Sequence, residues 1–191
     1  LPAVVAVAML RAPPITDVST DLVDPPLFAA APDGVWNRPP PSAAEHARQA
    51  SAYPDIVARH YPVSPDRVYA ETNNLFVARG WKLLDEQPPE GFDGIGWIEA
   101  EAKTLLFALD VDVIVRILPD GRGSLVDMRS AWRTGGHDLG DNARRIRAFL
   151  ADLDTALQGV VETAADADTT PLTDPETGEL VPPLPAPAPG R

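Results

Sequence analysis

Between Val111 and Ser130 the sequence fixes a sheet face before it fixes a fold. Val111, Val113, Val115 and Ile117 alternate with Asp112, Ile114, Arg116 and Leu118, and a second alternating run ends in Asp127, Met128, Arg129 and Ser130. Asp120-Gly121 between them is a strong two-residue hairpin signal. Closing the hairpin on those two residues pairs Pro119 with Arg122, Val115 with Val126, Val113 with Met128 and Val111 with Ser130. A slip of one residue would set Asp127 and Arg129 among the valines, and the desolvation cost forbids it. That register puts Asp112 across from Arg129, with Asp127 one step along and Arg116 diagonal to it. The four form a charge ladder on the face opposite the valines.

The other elements arrange themselves around this hairpin. Ser64 is a good N-cap, Pro65 suits the first helical position, and Val68, Leu75 and Phe76 recur at the helical period, so a helix is predicted over 65–79 with Gly80 closing it. Trp81 to Glu86 and Ile95 to Thr104 read as strands, separated by Pro88-Pro89-Glu90-Gly91, and 105–109 reads as an apolar link. A last helix is predicted from about Asp141 to Leu157, with Ile146, Phe149, Leu150, Leu153 and Leu157 as its buried stripe. Upstream, Ile15 to Leu22 and Tyr53 to Ile56 read as extended. Residues 43–52 read as one helical turn or two, and 27–42 as a loop pinned by Phe28 and Trp36. The order predicts an α+β domain: an antiparallel sheet of about four to five strands, two main helices on one face, and an extended N-terminal wrap.

Composition bounds the rest. The 22 prolines crowd the ends of a chain of 191 residues. The expected division is an apolar segment over 1–14, one domain over 15–158, and an acidic, Pro-rich, disordered tail over 159–191. A net charge of −12 argues against nucleic acid or an anionic membrane surface as the main partner. There is no cysteine, and His46, His60 and His137 lack ligand spacing, so neither a metal nor another cofactor is expected. Leu1 to Leu10 is uncharged and too short to span a bilayer. It reads as the end of a membrane anchor, the remnant of a signal segment, or a buried strand. With Leu rather than Met at position 1, the sequence is expected to be a processed form or a fragment.

Most of the polar chemistry falls between Asp127 and Phe149. Arg129, Arg133, Asp138, Asn142 and Arg145 are the candidate ligand-binding residues. Gly135, Gly136 and the helix start would take a small anionic head group, and the arginines would add charge-assisted bonds. The blander account makes Asp138, Asp141 and Asn142 caps of the helix, and the ladder a solvated face of paired charges; the alternative for the ladder is a partly covered polar network lining a groove under the N-terminal wrap, with Trp132 and Trp97 at its border. A hydrolase would use Ser130, His137 and Asp138. Against it, Ser130 faces the valine side and no nucleophile-elbow sequence is present. Asp110 and Asp112 share one side of a strand but show no third metal ligand. The oligomeric state is not encoded in any pattern we recognise.

The pattern Asp127, Arg129, Ser130, Arg133, Gly135, Asp138, Gly140, Asn142, Arg145 and Ile146 resembles the DUF1499 family. So does the opening Asp17-Val18-Ser19-Thr20-Asp21 with Asp24-Pro25-Pro26, and the resemblance spans about residues 15–157. Trp132 departs from the small polar residue usual there, and His137 occupies a variable turn position. The resemblance implies an exported or membrane-linked bacterial domain on the periplasmic face of the envelope. It implies no reaction. The expectation is therefore a non-catalytic domain that binds a protein partner or a small anionic ligand, with membrane contact only through an N-terminal anchor.

Overall fold

The computed structural model describes residues 12–30, 41–90, 94–104, 108–133 and 136–168, with side chains through residue 159. Trp36, Gly135, most of the apolar link and the Pro-rich tail therefore lie outside the described residues. The chain divides into two compact units, Leu1–Leu157 and Gln158–Arg191.

The fold is α+β: the described residues form three helices and a six-stranded sheet whose pairings are all antiparallel. The strands are β1 (Asp17–Ser19), β2 (Arg59–Tyr61), β3 (Lys82–Gln87), β4 (Gly96–Lys103), β5 (Asp110–Asp120) and β6 (Gly123–Trp132). The helices are α1 (Ala43–Ala52), α2 (Pro65–Ala78) and α3 (Asp141–Asp168). The sheet runs β1-β6-β5-β4-β3, and β2 pairs with β6 beside β1.

The hairpin keeps its faces but not its partners. The loop residues are Gly121 and Arg122, closed by Asp120 opposite Gly123, so Val113 faces Ser130 rather than Met128. Gly121 has φ +60 while Arg122 stays out of the left-handed region, the pattern of a II′ turn with glycine at its first central position. A shift of two residues preserves alternation, so the valine face is intact and Val111, Val113, Val115 and Ile117 are fully buried. The ladder changes: Arg116 faces Asp127 directly, Arg129 faces Ile114, and Asp112 faces Ala131. The expected Asp112–Arg129 pair does not form. Gly123 also serves a close approach, since a Cβ there would lie 2.2 Å from the carbonyl oxygen of Tyr61 on β2.

Three local readings are corrected. Ser42 and Glu45 form a reciprocal capping box, and it starts a ten-residue α1 where a turn or two was expected. Residues 53–56 turn rather than extend, and the strand follows as β2. Helix α3 continues eleven residues past Leu157, to Asp168. Gly159 costs it about 1 kcal/mol, but Ala and Glu are good helix formers and no proline intervenes before Pro171.

Two different layers flank the sheet. On the valine side α2 and α3 pack through Val68, Phe76, Ile146, Phe149, Leu150 and Leu153, all buried. The rings of Phe76, Trp81 and Phe149 meet with centroids 4.9–5.7 Å apart. The other side carries the charges, and there residues 20–30 form the cover. Helix α1 seals an edge: the Gln49 side chain accepts the Ser19 N–H and donates to the Ser19 carbonyl, standing in for a neighbouring strand.

Candidate functional site

The charged face is buried rather than solvated. Arg129 is completely buried, as is Asp127, and Asp112 and Glu99 are nearly so. A buried charge needs a partner, and the chain supplies one for each arginine. Arg129 donates Nε and Nη2 to the two oxygens of Asp17 at 2.9 and 2.7 Å, and Nη1 to the Pro26 carbonyl at 3.0 Å. Its guanidinium also lies 4.8 Å from the centre of the Phe28 ring. Arg116 clamps Asp127 Oδ2 at 2.8 Å and reaches out to the Asp24 carboxylate and carbonyl. Arg133 donates to Asp112 Oδ1 at 2.9 and 2.7 Å and to Glu101 at 2.7 Å. Burial raises the Asp127 carboxyl above its ordinary value, while Arg116 opposes that rise.

On the valine side the end of β6 is stapled to the start of α3. Ser130 Oγ donates to Asn142 Oδ1 at 2.8 Å. Arg145 Nη1 donates to that oxygen at 3.0 Å and to Ser130 Oγ at 3.1 Å. The Asn142 amide nitrogen donates to the Thr16 carbonyl at 3.0 Å. Asp138 receives the N–H groups of Gly140 and Asn142 at 2.9 and 3.0 Å and caps the helix entrance. Its own N–H donates to the Ile15 carbonyl at 3.3 Å. Burial pushes the Asp138 carboxyl up, against the pull of those two N–H groups.

The structure thus brings Asp138, Asn142 and Arg145 together with Ser130. It sets Arg129 and Arg133 apart from them, in the charged layer, as each pairs with carboxylates. Ser130 is fully buried, and its described partners are an amide oxygen and a guanidinium, neither of which can take its proton. His137 Nδ1 instead accepts the Leu139 N–H at 2.9 Å. Trp132 and Trp97, which would have bordered one groove, lie on opposite faces: Trp132 is level with Val111 and Trp97 with Arg116. Among the described residues no group of three or more carboxylate or imidazole side chains is arranged to hold a metal.

An open cavity of about 250 Å³ lies between β1, the start of α1 and the Gly136 turn. Ile15, Thr16 and Asp17 line it from the strand side, Glu45 and Arg48 from the helix, and Gly136 from the turn. The motif residues hold that wall. Asp138 bonds the Ile15 carbonyl, Asn142 and the Trp132 N–H bond the Thr16 carbonyl, and Arg129 grips Asp17. Both acids facing the cavity are engaged: Asp17 by Arg129, and Glu45 by the Ser42 N–H at 2.8 Å and hydroxyl at 2.7 Å. The Ser42 bonds hold the Glu45 carboxyl below its ordinary value, with a smaller pull from the charge of Arg48. Arg48 is exposed and makes no ion pair among the described residues.

Sequence reasoning missed Asp17, Asp24 and Glu99 as partners of the charged layer, and Arg48 as a cavity residue. Asp17 was visible only as part of a family opening, and nothing near it in sequence points to Arg129. A family model described as "Protein of unknown function (DUF1499)" matches residues 17–153. No curated protein and no solved structure matches the chain.

Proposed function

The chain belongs to the DUF1499 family, a family of unknown function, and from that premise we propose that it is a non-catalytic binding domain for a small anionic ligand held at the Arg48 cavity. The observation that carries this reading is an open cavity of about 250 Å³ whose two acids are already engaged and whose cation is not ion-paired among the described residues. Arg129, Asp138 and Asn142 build its strand-side wall, and Arg133 and Arg145 brace the ends of β5 and β6 behind it. The volume suits a molecule smaller than a typical drug. The partners of Ser130 support the absence of catalysis, because a serine without a base is a poor nucleophile.

Protein purified from the cells that make it is expected to carry a small acidic molecule in a native mass spectrum. Arg48→Glu should weaken its retention roughly tenfold to a hundredfold, the worth of one charge-assisted bond, with the melting temperature unchanged because the side chain is exposed. An empty wild-type protein, or equal retention by the variant, would overturn the reading.

We also propose that the domain is exported or tethered to the envelope. The apolar, uncharged Leu1–Leu10 followed by Arg11 supports this, and no described helix is long and apolar enough to cross a membrane. Cell fractionation should find the chain in the envelope or periplasm, and a variant lacking residues 1–14 in the cytosol. Cytosolic recovery of both would rule the proposal out.

A further inference from the structure

Among the described residues, a buried carboxylate of the charged layer lacks a cation. Glu99 on β4 is 1 % exposed and makes no ion pair among the described residues. Its Oε2 accepts the N–H groups of Ala29 and Ala30 at 2.7 and 3.0 Å. From β3 its register partner is Asp85. From β5 it faces Ile114, flanked by Asp112, which Arg133 holds, and by Arg116, which holds Asp127 and Asp24. From β6, Arg129 gives its bonds to Asp17 and Pro26. The covering segment contributes two amides and the Phe28 ring, and its Leu27 side chain is 62 % exposed, so little apolar burial fastens it.

We propose that residues 27–30 are a proton-sensitive strap, closed over Glu99 while that carboxyl is protonated and loosened as it ionises. Among the described residues, the charge of the ionised group is balanced under the strap by backbone dipoles alone. When the strap lifts, water takes over their work and removes the desolvation cost. Burial raises the covered Glu99 above its ordinary value; the two amides oppose the rise, and Asp112 and Asp85 add to it. A carboxyl raised in the covered form binds its proton more tightly there than in the open form. The advantage of closure is therefore complete below the ordinary carboxylate range and is lost as pH rises through the covered value. Lifting the strap bares Glu99 and the side of Arg129 that Phe28 covers, so access to the charged layer follows pH. The Asp24 end stays anchored by Arg116, which keeps the motion to the C-terminal side of that residue.

Amide hydrogen exchange, expressed as protection relative to intrinsic rates, tests this at Ala29 and Ala30. Protection should rise severalfold from mildly alkaline to mildly acidic solution in the wild type. In Glu99→Gln, a neutral isostere, it should sit at the acid level throughout. Should that variant fail to fold, the Ala29 and Ala30 amide shifts of the wild type must follow one titration displaced above the ordinary carboxylate range. Protection that ignores pH in the wild type, a pH response that persists in Glu99→Gln, or amide shifts that do not titrate would overturn the proposal.

Discussion

Arg129→Ala loses about 3–5 kcal/mol of folding stability in denaturant titration, the cost of removing one member of a buried ion pair. Arg129 is fully buried and the Asp17 side chain is 10 % exposed, so solvent screens the pair very little. The truncation strands the Asp17 carboxylate, frees the Pro26 carbonyl, and leaves Phe28 without the cation beneath it. Each is a desolvated group that has lost its partner, and the penalties share one cause. In a double-mutant cycle Arg129→Ala and Asp17→Ala should therefore couple strongly, the second substitution costing much less once the first is made. Arg129→Ala with Asp112→Ala should be close to additive, because Asp112 is bonded to Arg133 instead. Strong coupling of the second pair and none of the first would refute the observed register.

Asn142→Ala is the second large effect, about 2–4 kcal/mol in the same measurement. One amide serves three elements: it accepts from Ser130 on β6 and from Arg145 on α3, and it donates to Thr16 beside β1. Removing it leaves the proton of a buried hydroxyl and part of a guanidinium without an acceptor, at roughly 1–3 kcal/mol for a stranded neutral group and more for a charged one, while the Thr16 carbonyl keeps only the Trp132 N–H. Some of that is recovered as Arg145 retains Asp141 and the Lys103 carbonyl. Ser130→Ala should cost less in the Asn142→Ala background than in the wild type. Equal costs would mean that the two side chains do not share a network.

The periodic elements were readable because their cause is local. The valine alternation needs only a sheet with one apolar face, and the stripe from Ile146 to Leu157 only a helix against it. Alternation repeats every two residues, so it rejects a slip of one and is blind to a slip of two. That is why the faces of the hairpin came out correctly and Asp112 was matched to the wrong arginine. The charged layer was hidden for a different reason: Asp17 and Arg129 are separated by 112 residues, and no pattern within either segment names the other. A solvated ladder was preferred to one covered by the N-terminal wrap because no local pattern ties residues 20–30 to that face. Strand β2 was missed because three residues, Arg59, His60 and Tyr61, are too few to alternate. The cavity was illegible because it is a space between β1, α1 and a turn, none of which contains it alone.

Strand β6 takes two short partners along one edge, β1 at Arg129–Ala131 and β2 at Ser124–Val126. Both partners are translated long before it. At roughly 5–20 residues per second, the strand that receives Asp17 leaves the ribosome on the order of 6–20 s after Asp17 does. Through that interval β1 and β2 have no strand to pair with, and the Arg48 wall, which β1 forms, cannot settle. The two strands made first are thus held open longest, and their place in the sheet is decided by the strand made last.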